Sequence, residues 1–317
     1  MKLSYKVLEK DIGRTVSSVM KNELRISSTF MRRLKLVDAV KVSGNSAFTN
    51  YILSLGETVE IDTQLAEPAC DNIPEIGKLD ILYETQGLLA VNKPVGILVH
   101  PSRARNSGTL SNFVAGYLVK GSDDSDTGSE EKPATGACHA VNRLDRDTSG
   151  IVLFAKNSYM KSLASEALSA KNVVKEYLAL VYGKMPPKGT IDVPIKRKEE
   201  LNMYRIPAPD GQRAVTHYEM IETFKPNDGT DSDQEYSLVK FKLETGRTHQ
   251  IRVHCLHMGT PILGDNLYHN KASTDLSHAL NIKTQALHAA KLSFTDPLTN
   301  NYIIIEAKAP FALAIYQ

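Results

Sequence analysis

Short segments with the pattern of β-strands, separated by turn residues, recur along most of this chain and constrain its fold more than any other feature. The segment "KEYLALVYGK", residues 175–184, has the alternation typical of a half-buried strand. Two apolar runs flank Thr85-Gln86-Gly87 and predict a hairpin. Further strands are predicted at residues 190–195, 214–224, 236–245 and 301–307. Because strands outnumber helices, the sequence predicts an α+β fold with a mixed, mostly antiparallel central sheet flanked by helices.

Residues 1–62 predict a small α/β unit separate from that sheet. Apolar side chains at helical spacing predict two short helices, and Ser27 or Ser28 can cap the second. A Gly44-Asn45 pair predicts a hairpin turn, and "ETVEID" after it predicts a strand. The unit is therefore a helix pair followed by a short stretch of sheet.

The formal net charge of +2 conceals an uneven distribution. Residues 1–42 carry ten Lys/Arg against four Asp/Glu, whereas residues 43–80 carry one against seven. Such an excess suits contact with a polyanion, although an ordinary solvated helix surface gives the same count.

The rest of the chain divides into a linker and one larger unit. Residues 63–79 contain two prolines and no clear periodicity, so they predict a linker. Residues 80–317 then form the larger unit, in which the polar segments 121–132 and 225–235 predict surface loops outside the core.

Cysteine usage and the N-terminus predict a cytoplasmic protein. Cys70, Cys138 and Cys255 are an odd number without a CxxC pair, which favours neither a disulfide framework nor a zinc site. The segment "MKLSYKVLEKD" lacks the apolar stretch of an export signal, and no run reaches the roughly 18 apolar residues that a membrane span requires. We therefore expect no membrane association.

The stretch "VNRLDRDTSG", residues 141–150, concentrates charged and hydroxyl side chains before the apolar run "IVLFAK". Asp145 and Asp147 match the DxD spacing of magnesium-dependent phosphatases, but that chemistry requires an apolar strand before the pair, and here the apolar run follows it. Asp147, Thr148 and Ser149 are predicted to bond their own backbone in a turn. That interpretation leaves Asp145 without a structural explanation.

A second polar cluster lies in "LETGRTHQIRVHCLHMGTPILGD", residues 243–265. It contains Arg247, His249, Arg252, His254 and His257. Three histidines are compatible with a metal site, but the two arginines would repel a cation, and a loop that enters a helix suits an anion such as phosphate. Alternatively, the histidines face nucleic acid or are hydrogen-bonded within the core.

Five segments in order resemble the RluA/RluD-type pseudouridine synthases, which act on large-subunit ribosomal RNA. They are "LLAVNKPVGILVHPS", "NRLDRDTSGIVLFAK", "KEYLALVYG", "TGRTHQIRVHCLHMGTPILGD" and "ALHAAKLSFTDPLT". Residues 1–62 resemble the S-four-like RNA-binding domain that many members carry. The resemblance covers nearly the whole chain and implies the pseudouridine-synthase fold.

The resemblance implies a catalytic set of Asp145, Tyr177 and Arg252. Asp145 would be the nucleophile, acting on the anomeric carbon of a flipped-out uridine or on its uracil ring. Arg252 would pair with Asp145 and keep the carboxylate ionised. Tyr177 would stack on the uracil and serve as a base; by its sequence alone, a tyrosine on a strand is usually a packing residue. No metal and no cofactor are implied.

The partner implied is RNA, bound by a monomeric protein. Arg143 would fill the space that the flipped base leaves. The other predicted RNA contacts are Arg247, His249, Lys196, Arg197, Arg32, Arg33 and Lys35, several of them to phosphates.

Asn142 departs from the resemblance, because the common motif reads His-Arg-Leu-Asp. Asparagine keeps a donor and an acceptor but carries no charge near neutral pH. A protein that binds RNA without catalysis is the alternative function, and the joint presence of Asp145, Tyr177 and Arg252 argues against it.

Overall fold

The computed structural model describes residues 1–67, 72–102, 106–120, 137–170, 172–199, 203–226 and 234–311. The predicted loop 121–132 lies outside the described residues, as do parts of the linker 63–79 and of the insert 225–235. Residues 63–67 and 72–79 contain no helix or strand. None of the described helices is long and apolar enough to cross a membrane.

The described α-helices are α1 Val16–Asn22, α2 Ser28–Leu36, α3 Leu110–Lys120, α4 Ser158–Ala167, α5 Gln250–His257 and α6 Lys271–Ala279, and a 3-10 helix spans Glu9–Asp11. The strands are β1 Lys2–Lys6, β2 Val40–Val42, β3 Asn45–Ser46, β4 Thr58–Asp62, β5 Ile81–Glu84, β6 Leu88–Lys93, β7 His139–Ala140, β8 Ser149–Ala155, β9 Val174–Tyr182, β10 Lys188–Asp192, β11 Ile195–Arg197, β12 Arg205–Pro207, β13 Val215–Phe224, β14 Tyr236–Leu243, β15 Leu287–Thr295 and β16 Tyr302–Glu306.

The N-terminal residues form an antiparallel sheet of order β1-β4-β2-β3 together with α1 and α2. Ser27 caps α2, because its hydroxyl oxygen accepts the Phe30 N–H at 3.2 Å. The predicted hairpin turn is displaced by one residue: Ser43 and Gly44 occupy it, with φ of 48° and 84°. Asn45 already belongs to β3, so glycine supplies the left-handed conformation at the second turn position.

The central sheet has the order β10-β13-β14-β9-β15-β8-β6-β5, with β16 paired to β15 and β7 to β8. Every pairing in it is antiparallel except β15 with β8. The predicted mixed, mostly antiparallel sheet is therefore confirmed. Strand β15 lies between β8 and β9, and its Ala289 pairs with both Gly150 and Tyr177.

Helices cover both faces of this sheet at β6 and β8, because the residues of these two strands are mostly apolar on both faces. On β6, Leu88 and Ala90 belong to the buried cluster that contains α4, whereas Leu89 and Val91 belong to the cluster that contains α3. Farther along the sheet, α5 packs on one cluster and α6 on another. A sheet buried on both faces gives the loops at its edges a rigid base.

The N-terminal unit packs against α4 rather than standing free. The Tyr159 hydroxyl donates to the Leu24 carbonyl at 2.9 Å, and its ring stacks on Phe30 with centroids 6.5 Å apart. Arg25 and Glu166 form an exposed ion pair at 2.9 Å. One buried apolar cluster includes residues of both units, so the two share part of their core.

Candidate active site

The buried ammonium of Lys93 binds the backbone of the loop between β7 and β8. This group donates to the backbone oxygens of Pro94, Ile97 and Arg146 at 2.9, 2.9 and 2.8 Å. Burial lowers the pKa of Lys93 to about 8. The Arg146 side chain turns outward and pairs with Asp147 at 3.0 Å. Lys93 therefore fixes the backbone of the loop at the residue after Asp145.

Two side chains near and on β15 hold the end of the same loop. Gln285 donates an amide hydrogen to the Thr148 hydroxyl, and Ser149 shares a hydrogen bond of 2.8 Å with His288. Both hydroxyls are buried. The prediction that Asp147, Thr148 and Ser149 bond their own backbone is therefore wrong. Thr148 and Ser149 bind side chains near and on β15 instead, which ties the loop to the centre of the sheet, whereas Asp147 pairs with Arg146 of the same loop.

Asn142 ties the start of the loop to β8. Its amide nitrogen donates to the Ile151 carbonyl at 3.1 Å, and its amide oxygen accepts the Leu153 N–H at 2.7 Å. A neutral imidazole also offers one donor and one acceptor, so asparagine can serve this backbone contact without charge. The residue that departs from the motif His-Arg-Leu-Asp is thus one that attaches the loop to the backbone of β8.

Asp145 projects from this loop and pairs with Arg252 of α5. Arg252 Nη1 donates to Asp145 Oδ2 at 2.9 Å, and its Nε and Nη2 donate to the two oxygens of Asp265 at 2.7 and 2.8 Å. Burial alone would lower the pKa of Arg252, but its bonds to the two carboxylates raise it. The guanidinium is therefore permanently charged and fixed between two anions.

Asp265 is a residue to which the sequence assigned no role. Its Oδ1 also accepts the backbone N–H groups of Leu267 and Tyr268 at 2.8 and 3.0 Å. The "LGD" segment that contains it was quoted, but nothing in the spacing from Arg252 to Asp265 indicated a bidentate pair. The contact arises because the loop after α5 turns back toward that helix.

Tyr177 lies on β9, and strand β15 separates β9 from β8, the strand at the end of the Asp145 loop. Burial raises its pKa to about 12, and the nearby charge of Asp145 acts in the same direction. The hydroxyl therefore keeps its proton at neutral pH. Because Ala289 pairs with both Tyr177 and Gly150, the register of β15 sets the distance between the two sides of the site.

His249 lies beside Asp145, although its sequence predicted a contact with RNA. It precedes α5 in the left-handed conformation, with φ of 58°, and its side chain is 7% exposed. Its Nε2 is 3.7 Å from Asp145 Oδ2, and its Nδ1 is 2.9 Å from the Tyr268 hydroxyl oxygen. Burial lowers the pKa of His249, and the charges of Arg252 and Arg205 act in the same direction.

These side chains line a cavity of about 460 Å³. Its walls include Asn142, Arg143, Asp145, Tyr177, Arg247 and His249. Asp145 is 28% exposed, so its carboxylate is reached from the cavity while its partner Arg252 is buried. The volume lies in the range of pockets that hold small organic groups.

The remaining predicted RNA-binding residues do not line the cavity. Lys196, on β11, pairs with Asp210 at 2.8 Å, and Arg197 follows it on the same strand. Arg32, Arg33 and Lys35 lie on α2 of the N-terminal unit. The predicted set is thus split between the cavity and two other surfaces.

The histidines of the second cluster have different surroundings. His254 is fully buried, and its two ring nitrogens bond Thr216 and the Val193 carbonyl at 2.9 and 3.0 Å. It is therefore a core residue, whereas His257 is exposed at the end of α5. Among the described residues, no three His, Cys, Asp or Glu side chains form a group suited to a metal ion.

Comparison with known proteins places the chain in a family. The sequence profile of a family described as RNA pseudouridylate synthase matches residues 87–257, which include the Asp145 loop, Tyr177 and Arg252. The chain therefore belongs to the RNA pseudouridylate synthase family. Members of this family are isomerases that convert uridine in RNA into pseudouridine.

Relatives and solved structures agree with this assignment. The RNA pseudouridine synthase YhcT of Bacillus subtilis is 36% identical over 97% of this chain and 94% of its own length. Ribosomal large subunit pseudouridine synthase D of Xanthomonas campestris is 35% identical over 87% and 79%. The solved structure of human RNA pseudouridylate synthase domain containing 4 is 26% identical, with a TM-score of 0.54 over 74% of this chain and 90% of that one.

Proposed function

We propose that this enzyme isomerises a specific uridine of large-subunit ribosomal RNA and that Asp145 is its nucleophile. The observation that carries the proposal is the carboxylate of Asp145, exposed to a 460 Å³ cavity and bound from behind by Arg252 at 2.9 Å. The relative named ribosomal large subunit pseudouridine synthase D supports this RNA as the substrate class.

The reaction needs a nucleophile but no net oxidation. The bond from ribose C1′ to uracil N1 breaks, a bond from C1′ to C5 forms, a proton leaves C5 and N1 gains one. A carboxylate can trap or stabilise the electron-poor C1′, or it can add to the uracil ring, and both routes use the same aspartate. Arg252 stabilises the negative charge whenever the carboxylate is released.

We assign Tyr177 to the uracil ring as a stacking platform. A base that leaves the RNA helix loses stacking worth a few kcal/mol, and an aromatic side chain in the cavity restores part of it. Because its pKa is raised to about 12, the hydroxyl is a poor proton acceptor at rest. The neutral hydroxyl cannot accept the proton that leaves C5, so we propose the stacking role for Tyr177 rather than the role of a base.

Three further assignments concern the RNA. Arg143, exposed at the cavity rim, fills the space that the uridine leaves. Arg247, Lys196 and Arg197 hold phosphates. Residues 1–62 are an S-four-like RNA-binding domain, residues 63–79 a linker and residues 80–317 the catalytic domain. We further propose that the protein acts as a monomer in the cytoplasm.

Mapping of pseudouridine at single-nucleotide resolution tests the substrate. Ribosomal and transfer RNA from cells with and without this protein are compared, and RNA transcribed in vitro is then treated with the pure enzyme. We expect a site in large-subunit ribosomal RNA that disappears without the protein and reappears on treatment. A site found only in transfer RNA would contradict the proposed substrate but not the reaction.

A further inference from the structure

One ring nitrogen of His249 faces Asp145 and the other is hydrogen-bonded to Tyr268. The position of the hydrogen atom on the ring follows from the partners of the Tyr268 hydroxyl. The Tyr268 oxygen accepts the backbone N–H of Arg205 at 2.8 Å, and a backbone N–H can only donate. Among the described residues, the other hydrogen-bond partner of this oxygen is His249 Nδ1, at 2.9 Å. Tyr268 is 2% exposed, so its own hydroxyl hydrogen also needs an acceptor.

That acceptor is His249 Nδ1. The nitrogen must then carry a lone pair, and the hydrogen of the neutral imidazole lies on Nε2, the atom that faces Asp145. A second proton on the ring would turn Nδ1 into a donor and leave the Tyr268 hydrogen without a partner. The charges of Arg252 and Arg205 oppose that proton as well, whereas Asp145 and Asp265 favour it.

The two donors that approach Asp145 meet at one oxygen. Arg252 Nη1 lies 2.9 Å and His249 Nε2 3.7 Å from Asp145 Oδ2. Among the described residues, Oδ1 has no hydrogen-bond partner. The second distance exceeds a hydrogen bond by a few tenths of an ångström, which a small shift of the carboxylate on substrate entry can close.

We propose that His249 is a positioning residue whose Nε2–H, fixed in this tautomer by Tyr268, is the second donor to Asp145 Oδ2 and leaves Oδ1 as the reacting atom. This inference rests on Asp145 as the nucleophile. It replaces the RNA contact that the sequence predicted for His249. Two donors on one oxygen also restrict the rotation of the carboxylate, so that Oδ1 keeps one direction toward the cavity.

Single-turnover kinetics at saturating RNA test the proposal with two substitutions of the same residue. In His249→Gln the amide nitrogen replaces Nε2 as a donor and cannot titrate, whereas His249→Leu has no donor. We expect His249→Gln to stay within about threefold of the wild-type rate and His249→Leu to fall about 10- to 100-fold, as for a lost hydrogen bond to a charged group. The RNA dissociation constant should not change, and thermal melts check folding.

Tyr268→Phe tests the tautomer, because the ring that lies 5.0 Å from the Arg252 guanidinium remains and only the hydroxyl is removed. We expect a loss of about three- to tenfold that vanishes in the His249→Leu background. Between pH 6.5 and 8.5 the pH profile of the wild type should match that of His249→Gln, so that the titration of Lys93 near pH 8 cancels in the comparison. A rate that falls as pH rises through this range, in the wild type but not in His249→Gln, would assign an acid role to the charged ring and overturn the proposal.

Asp145→Asn in the same assay separates the two levels of inference. If this variant is active, the proposed nucleophile is wrong whatever the histidine variants do. If it is inactive and His249→Gln is as slow as His249→Leu, the nucleophile stands and the positioning role of His249 is overturned. Weaker RNA binding by His249→Leu with an unchanged rate would restore the RNA contact and also overturn the proposal.

Discussion

Asp145 and Asp147 lie on one loop at similar exposure, yet their partners differ, and this makes them a matched pair for mutagenesis. Asp145 contacts a buried arginine at the cavity, whereas Asp147 pairs with its exposed neighbour Arg146. We expect Asp145→Asn to lower single-turnover pseudouridine formation by at least ~10⁴-fold, because the amide keeps the shape and loses the nucleophilic charge. RNA affinity should change little, since phosphate contacts supply most of it.

Asp147→Asn serves as the control. The pair that it removes is exposed, so the free energy of unfolding should fall by no more than about 1 kcal/mol and turnover should remain near the wild-type level. An active Asp145→Asn protein, or a folded but inactive Asp147→Asn protein, would move the chemistry to the other carboxylate.

Lys93 makes the free energy of unfolding of the protein depend on pH. Folding lowers its pKa from 10.5 to about 8, so between these values the unfolded chain binds a proton that the folded chain has lost. Rising pH therefore favours the folded state through this group, by up to about 3 kcal/mol. We expect the unfolding free energy of the wild type, relative to Lys93→Met, to increase from pH 8 to pH 10. Denaturant titrations at each pH measure it, and a constant or decreasing difference would contradict the assignment.

At the scale of single residues, the family resemblance implied Asp145, Tyr177 and Arg252, whereas the residues alone left Asp145 unexplained and indicated packing for Tyr177. The sequence could not indicate Asp265 or Tyr268 as their neighbours. Those contacts depend on how the chain turns after α5, and no local spacing records a turn of that kind. His249 was noticed in the right cluster, but its direction depends on a left-handed backbone angle that the residue type does not reveal.

Among the elements, β15 shows most clearly what local patterns miss. Strands β9, β13, β14 and β16 were predicted within a few residues, because alternation and flanking turns mark them. The segment of β15 was quoted only as part of a family resemblance. Its place between β8 and β9 follows from pairing with distant strands, and strand order is a property of the whole sheet.

The contact between β8 and β15 requires glycine at position 150. Gly150 has φ of 110°, and an added Cβ would lie 2.3 Å from the Ala289 carbonyl oxygen. We expect Gly150→Ala to lower the free energy of unfolding by more than about 2 kcal/mol and to reduce turnover, because Ala289 sets the positions of both sides of the site. Chemical denaturation and single-turnover assays measure the two effects.

Gly44→Ala is the matched control for this substitution. Gly44 also has a positive φ, of 84°, but nothing lies within 4 Å of an added Cβ. Its cost should therefore be the backbone strain alone, about 1 kcal/mol, with normal turnover. Equal losses of stability in the two variants would show that strain, rather than the close approach of the two strands, makes glycine necessary at position 150.

For the molecule as a whole, the sequence predicted an N-terminal unit separate from the central sheet but did not predict that this unit packs on α4. Tyr159 lies on the buried face of α4, and an apolar face does not reveal its partner. Deletion of residues 1–62 would expose part of the shared core, so a loss of RNA binding by the truncated protein would not isolate the role of the basic surface. Substitutions on exposed positions are the cleaner test.

Arg32 and Lys35 are exposed on α2, whereas Arg33 lies 5.1 Å from the Phe30 ring and belongs to the packing of the unit. If the two exposed side chains contact phosphates, the double variant Arg32→Gln/Lys35→Gln releases fewer counterions on binding. We expect weaker binding to structured ribosomal RNA and a slope of log affinity against log salt that is shallower by about one unit per lost contact.

The control Lys271→Gln/Lys283→Gln removes the same charge from exposed positions on and after α6, and should keep the wild-type slope. A slope that becomes equally shallow in both double variants would mean that the effect is one of net charge. An unchanged slope in the first variant would remove α2 from the RNA-binding surface.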